Sequence, residues 1–197
     1  GQVYALNHTC FQTIDPQDPA ALTAEETQII QELLTAFTHC QKLRNHLTFL
    51  IENGSMYRIY NQNLLFHGCI PVDQNGDFLT LTIANQHYAG KTLLDFFDQQ
   101  IRSSFNQPTH QDNLSTDLLW YLWTGPLSPL FGKNAMTTFE RYFIDNPQLH
   151  VETKNPYYQL RHQETFIQKL LTEFELSPTK GHILNGHTPV KKGHDPI

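Results

Sequence analysis

Apolar residues recur at Ile29, Ile30, Leu33, Leu34, Phe37, Cys40, Leu43 and Leu47. The spacing is helical and predicts one long helix over 23–53. Thr23 precedes Glu26 by three residues, which is capping-box spacing, and Gly54 is a natural stop. Residues 1–22 are polar, carry Pro16 and Pro19, and read as an arm or loop. After Gly54 the period changes. Two apolar runs, 56–60 and 64–70, flank Asn61-Gln62-Asn63 and predict a β-hairpin with a three-residue loop. The second run lacks polar alternation, which predicts a strand buried on both faces. Residues 73–77 read as a turn and 78–84 as a third, alternating strand. Helical periods follow over 91–105, 115–125, 136–144 and 163–176, and "HILNGHTPV" at 182–190 reads as a short strand. Helices and strands are interspersed and the first strands pair as a hairpin. The expected class is α+β, with 54–197 as one mixed region of a single-domain piece.

Two histidines stand out against this pattern. His67 ends the apolar run "NLLFHGC" and His187 ends "HILNGH", each with a glycine beside it that would let the backbone approach a metal or phosphate closely, so that Gly68 reads as clearance beside a ligand. Neighbouring strand ends can gather metal ligands from distant parts of a chain, and neutral imidazole suits manganese, iron or zinc. A lone histidine at such a place is more often a buried residue with one hydrogen-bond partner. Two at matching strand ends leave the ligand and packing readings evenly balanced. If both bind one ion with bonds of about 2.1 Å, their ring nitrogens lie roughly 3–4 Å apart.

The wider text resembles a known family. "NGSMYRIYNQNLLFHGCIPVD", "YLWTGPLSPLFGKNAMTTFERYFI" and "GHILNGHTPVKKG", in that order, are similar to the class III fructose-1,6-bisphosphatases of Gram-positive bacteria, within the calcineurin-like metallophosphoesterases. The resemblance implies a β-sandwich flanked by helices, with two metal ions held at strand ends. His67 and His187 match the last two metal-binding motifs, so both would bind one ion. The earlier motifs, D-x-H, G-D-x-x-D-R-G and G-N-H, do not occur here, and they would supply the bridging carboxylate and the catalytic acid. Pro189 stands where some branches have a further histidine ligand. The resemblance therefore implies the carboxy-terminal part of a partial metallophosphatase fold, inactive alone, from a manganese-dependent enzyme of gluconeogenesis acting on a sugar bisphosphate. No catalytic residue is assigned within the chain. A dinucleoside-tetraphosphate hydrolase, a protein phosphatase and a non-catalytic assembly or regulatory module are the alternatives.

Candidate phosphate contacts are Lys133 in "PLFGKNA", Arg141 in the helical stretch after it, and Lys191 just past His187. A lysine meets phosphate as a point charge and an arginine as a fork, although either can equally be a surface charge. Tyr157 and Tyr158 are candidates for a sugar contact or for the core. "YAGKTLL" imitates a P-loop but has Asn85 where glycine is required, so Gly90 reads as a helix start. The net charge of −6 and the lack of basic runs interleaved with aromatics exclude a dedicated nucleic-acid binder. No run of about 18 apolar residues predicts a membrane span. Cys10, Cys40 and Cys69 are odd in number and form no C-x-x-C, which suits a reducing cytoplasm. A sandwich lacking its other sheet would expose apolar strand surface, so self-association is expected.

Overall fold

The long helical stretch is two helices, α1 (Ala24–Thr38) and α2 (Gln41–Asn53), in a computed structural model that describes residues 2–7, 12–106 and 113–187. The expected single helix breaks at His39 and Cys40. There Cys40 takes an extended backbone (φ −75°, ψ 99°) and becomes the N-cap of α2, while side chains bond back into the end of α1. Thr38 Oγ1 donates to Leu34 O at 2.7 Å, and the His39 ring lies 3.0 Å from Thr35 O. The start is as expected: Thr23 accepts from the Glu26 N–H while the Glu26 carboxylate accepts from the Thr23 N–H. Neither helix buries a residue, and Ile29, Ile30, Leu33, Leu34 and Phe37 all stay exposed.

The chain divides into two units. The first joins Gly1–Gly54 to Thr137–Val151, and the second joins Ser55–Met136 to Glu152–Ile197. So 137–151, which reads as part of one mixed region, belongs with the two helices instead. It contains α5 (Thr138–Phe143) and a 3-10 turn at Pro147–His150.

In the second unit, β1 (Tyr57–Tyr60) and β2 (Asn63–Phe66) form the expected hairpin. Its loop is two residues, not three. Asn61 and Gln62 both take positive φ, as a type I′ turn requires, and Asn63 pairs with Tyr60. The second hairpin, β3 (Leu81–Ile83) and β4 (Gln86–Tyr88), turns in the same way at Ala84 and Asn85, so the third strand is shorter than its alternation predicts. β5 (His182–Asn185) adds parallel to β2 and completes a three-stranded sheet of order β1-β2-β5. β2 is not buried on both faces. Leu64 and Phe66 are buried while Leu65 is exposed, because this sheet is covered on one side only among the described residues. Leu65 pairs in register with Leu184 of β5, which is also exposed.

The covered side shares one core with helices α3 (Gly90–Asn106), α4 (Leu114–Thr124), α6 (Tyr157–Leu160) and α7 (Glu164–Glu173). α3 starts at Gly90, as its period predicts. α4 starts one residue before the expected serine, because Asn113 caps it by accepting from the Thr116 N–H. Fully buried Leu64, Ile70, Leu93, Phe97, Leu170 and Phe174 belong to one core. The class is α+β. No helix among the described residues is long and apolar enough to cross a membrane.

Candidate metal centre

β2 and β5 run parallel with Phe66 opposite Asn185. Both strands therefore end at one edge, and the next residues of each leave the sheet together. Asn185 ties the two ends by donating from Nδ2 to the Gly68 carbonyl at 3.0 Å. His67 and His187, 120 residues apart in sequence, meet there with Nε2 of one 3.0 Å from Nδ1 of the other. The rings stand edge to face, with centroids 5.0 Å apart. Both side chains are exposed, so neither is the buried histidine of the packing reading.

His187 has a φ of 65°. A non-glycine residue in the left-handed region costs on the order of 1–3 kcal/mol and persists where its surroundings demand it. Gly186 precedes it, so the turn out of β5 directs the imidazole toward His67 rather than along the strand. Gly68 answers to a different need. A Cβ on it would lie 2.4 Å from the Pro129 carbonyl oxygen, and the neighbouring Cys69 N–H donates to that same oxygen at 2.9 Å. The glycine makes room for a loop and not for a ligand.

That loop, 125–134, is shaped by buried Ser128. Its hydroxyl donates to Leu122 O and accepts from the N–H groups of Leu130 and Phe131. Leu130 and Phe131 then join Ile101, Leu119, Leu122 and Trp123 in the wall of a cavity of about 570 Å³ that His67 and His187 also line. The site is two imidazoles on an apolar recess.

Partial burial against this wall lowers the pKa of His187, and the charges of His67, Lys133 and Lys154 lower it further. The neutral ring is the form that can donate a lone pair. The shift also has a sign for stability. The unfolded chain takes up a proton near pH 6.5 and the folded chain only below that. His187 thus contributes stability that is complete above about pH 6.5 and is lost as pH falls toward the lower folded value. We expect the chain to resist denaturant better at pH 8 than at pH 5.5, and His187→Gln to shrink that difference. Urea titrations of both proteins at the two pH values check it; an unchanged difference would show that the ring does not sense its neighbours.

Two imidazoles 3.0 Å apart fit two positions on one ion, since two bonds of about 2.1 Å at a right angle give about 3 Å. Two neutral rings sharing one N–H give the same separation. Among the described residues no group of three or more His, Cys, Asp or Glu could hold a metal. The donor set fits as part of a site, whose further ligands would have to come from outside the described residues.

The other candidates fall in different places. Lys133 stands on the loop beside the cavity, its Nζ 2.7 Å from Glu152 Oε2. Arg141 lies in the first unit. Its guanidinium donates to Thr137 Oγ1 at 3.1 Å and to the His150 carbonyl, which fastens α5 to the following turn. Lys191 lies outside the described residues. Tyr157 is a core residue, fully buried and edge-on to Phe66 and Phe166. Sequence reasoning passed over Asn185, which joins the strand ends, and Lys154, which faces Lys133 across an isolated antiparallel bridge. An Asn-Gly pair directly before His187 was the available signal for the turn.

The profile of the Firmicute fructose-1,6-bisphosphatase family matches residues 1–197. Relatives named fructose-1,6-bisphosphatase class 3 include one from Latilactobacillus sakei, 79% identical over 197 residues, and one from Lacticaseibacillus casei, 55% identical over 197 residues. A third, from Staphylococcus xylosus, is 53% identical over 199 residues. Each match covers 100% of this chain and 31% of the relative, so the chain spans about a third of their length. No solved structure matches the chain. The resemblance carried by the three long segments extends over every residue, and the chain belongs to the Firmicute fructose-1,6-bisphosphatase family.

Proposed function

We propose that the chain is one part of a two-metal phosphomonoesterase that hydrolyses the 1-phosphate of fructose 1,6-bisphosphate, with His67 and His187 holding one of the two ions. The observation that carries this reading is the 3.0 Å approach of the two imidazoles at adjacent parallel strand ends. The strained backbone of His187 supports it, since a packing role does not require that conformation. So do the relatives, which carry the name fructose-1,6-bisphosphatase class 3.

In this reading the chain forms the carboxy-terminal share of a calcineurin-like sandwich whose other sheet lies outside it. Leu65 and Leu184, paired and exposed, belong to the face that sheet would cover. Divalent ions, manganese in this proposal, would supply Lewis acidity and an activated water for in-line attack on phosphorus. The chain's own residues would hold and surround one of those ions. His67 offers Nε2 and His187 offers Nδ1, the second kept neutral by its surroundings. Leu119, Trp123 and Phe131 line the apolar recess beside the pair. Lys133 brings positive charge to the rim, where a phosphate would arrive. The proposed compartment is the cytoplasm, which suits a free, exposed thiol at Cys40.

With only two of the ligands, the chain by itself is expected to release no phosphate from fructose 1,6-bisphosphate in excess Mn²⁺, and to sediment as a self-associated species through its exposed apolar faces. Adding the rest of the longer polypeptide should restore turnover. Turnover by the purified chain alone that disappears in His67→Ala would show instead that these 197 residues hold a whole site.

A further inference from the structure

We infer that Lys133 and Lys154 form an anion subsite for the phosphoryl group of the sugar bisphosphate that is not being hydrolysed; this rests on the phosphatase reading above. The two residues face each other across an isolated antiparallel bridge. Residues opposite in such a pair project to the same face, and like charges placed there repel. The lysine backbones cannot easily separate. Asn134 donates its N–H to Thr153 O at 3.0 Å and Asn155 donates its N–H to Gly132 O at 2.9 Å, one bond on each side of the pair. Buried Asn155 also exchanges two bonds with the backbone of Val72, from its Nδ2 to the carbonyl and from the Val72 N–H to its Oδ1, each 3.2 Å. The segments 67–72, 128–134 and 152–158 are thus fastened together.

One of the two positive charges is answered. Glu152, two residues before Lys154 and so on the same side of an extended segment, holds the Lys133 ammonium at 2.7 Å. Among the described residues no carboxylate forms an ion pair with Lys154. Its Nζ lies 5.4 Å from the centre of the Tyr158 ring, a contact that fixes an ammonium without cancelling its charge. Tyr158 is itself held in place. Arg161 sits 5.7 Å from the same ring centre, and Gly132, at φ +64°, would bring a Cβ within 2.6 Å of the Tyr158 hydroxyl. Among the described residues, Lys133, Lys154 and Glu152 together carry one net positive charge, in a geometry set before any ligand arrives.

The face adjoins the histidine pair through the chain itself. Leu130 and Phe131 line the cavity that His67 and His187 share, and Lys133 follows two residues later. A phosphate dianion suits two ammonium groups as point charges. A monophosphate needs only the reacting centre. A bisphosphate needs a second positive place at some distance from it, so this subsite would distinguish the two.

In the longer polypeptide, Lys154→Gln is expected to raise KM for fructose 1,6-bisphosphate about tenfold, with the loss falling on KM rather than kcat. Lys154→Glu should raise it further and Lys154→Arg should restore most of it. Lys154 is exposed, so these variants should fold. Calorimetric titration in EDTA separates binding from chemistry. Wild type should bind fructose 1,6-bisphosphate more tightly than fructose 1-phosphate, and Lys154→Gln should bind the two alike. An active enzyme whose KM and bisphosphate affinity are unchanged by Lys154→Gln overturns the subsite and leaves the phosphatase reading intact. A wild-type polypeptide that releases no phosphate, yet loses its preference for the bisphosphate on the same substitution, overturns the phosphatase reading and keeps the subsite.

Discussion

His67→Ala and His187→Ala, each placed in the longer polypeptide, are expected to lower kcat for fructose 1,6-bisphosphate by about a thousandfold or more. In the proposed reading each removes one ligand from an ion whose contribution to the transition state is several kcal/mol. Because the two act on one ion, the double variant should lose little more than either single one. Metal content should fall with activity, and the fold should survive, since both rings are exposed and neither belongs to the core. Phosphate release, together with metal analysis of the purified variants, checks this. Full activity in either variant would return the pair to a hydrogen-bonded contact between neutral rings. Multiplicative losses would place the two histidines on separate functions.

The second large effect concerns Gly68→Ala. The added Cβ would lie 2.4 Å from the Pro129 carbonyl oxygen and 3.2 Å from that of Leu130. Both are backbone atoms, so neither can swing aside as a side-chain tip could. Either the loop retreats and the bond from the Cys69 N–H is lost, or the end of β2 bends. Overpacking of this kind costs about 1–3 kcal/mol and the hydrogen bond about 1 more, giving a destabilisation of about 2–4 kcal/mol. Chemical denaturation of the chain measures it directly. In the longer polypeptide the same change should reduce activity, because His67 is the adjacent residue and the loop forms the cavity wall. A variant of wild-type stability would mean that the loop is not seated on Gly68 as described.

Much of this arrangement was legible in the sequence because it depends on short-range chemistry. The Thr23–Glu26 cap, the β1–β2 hairpin and the helical period of α3 are local patterns, and each folds close to where it reads. The histidine pair was legible for another reason. Two similar strand-glycine-histidine texts implied similar strand ends, although nothing local said that β5 lies parallel to β2. Where reading failed, the local backbone or a long-range contact decided. Cys40 turns extended and ends a helix whose apolar spacing runs straight through it. Leu65 looks buried on hydrophobicity alone, yet one face of its sheet has no cover within the described residues. Gly68 looked like clearance for a ligand, but it clears a carbonyl from a loop some 60 residues away. Lys154 was invisible because its meaning comes from the residue opposite it, and a bridge between positions 133 and 154 has no signature in composition or period.

The claim at the centre of this account is that His67 and His187 bind one metal ion. Crystals of the longer polypeptide grown with Mn²⁺, measured at a wavelength where manganese scatters anomalously, test it without recourse to activity. An anomalous peak is expected at bonding distance, about 2.0–2.3 Å, from both His67 Nε2 and His187 Nδ1, with carboxylates from outside this chain completing its coordination. A fully occupied manganese peak elsewhere, with the two imidazoles still in direct contact at 3.0 Å, would contradict it.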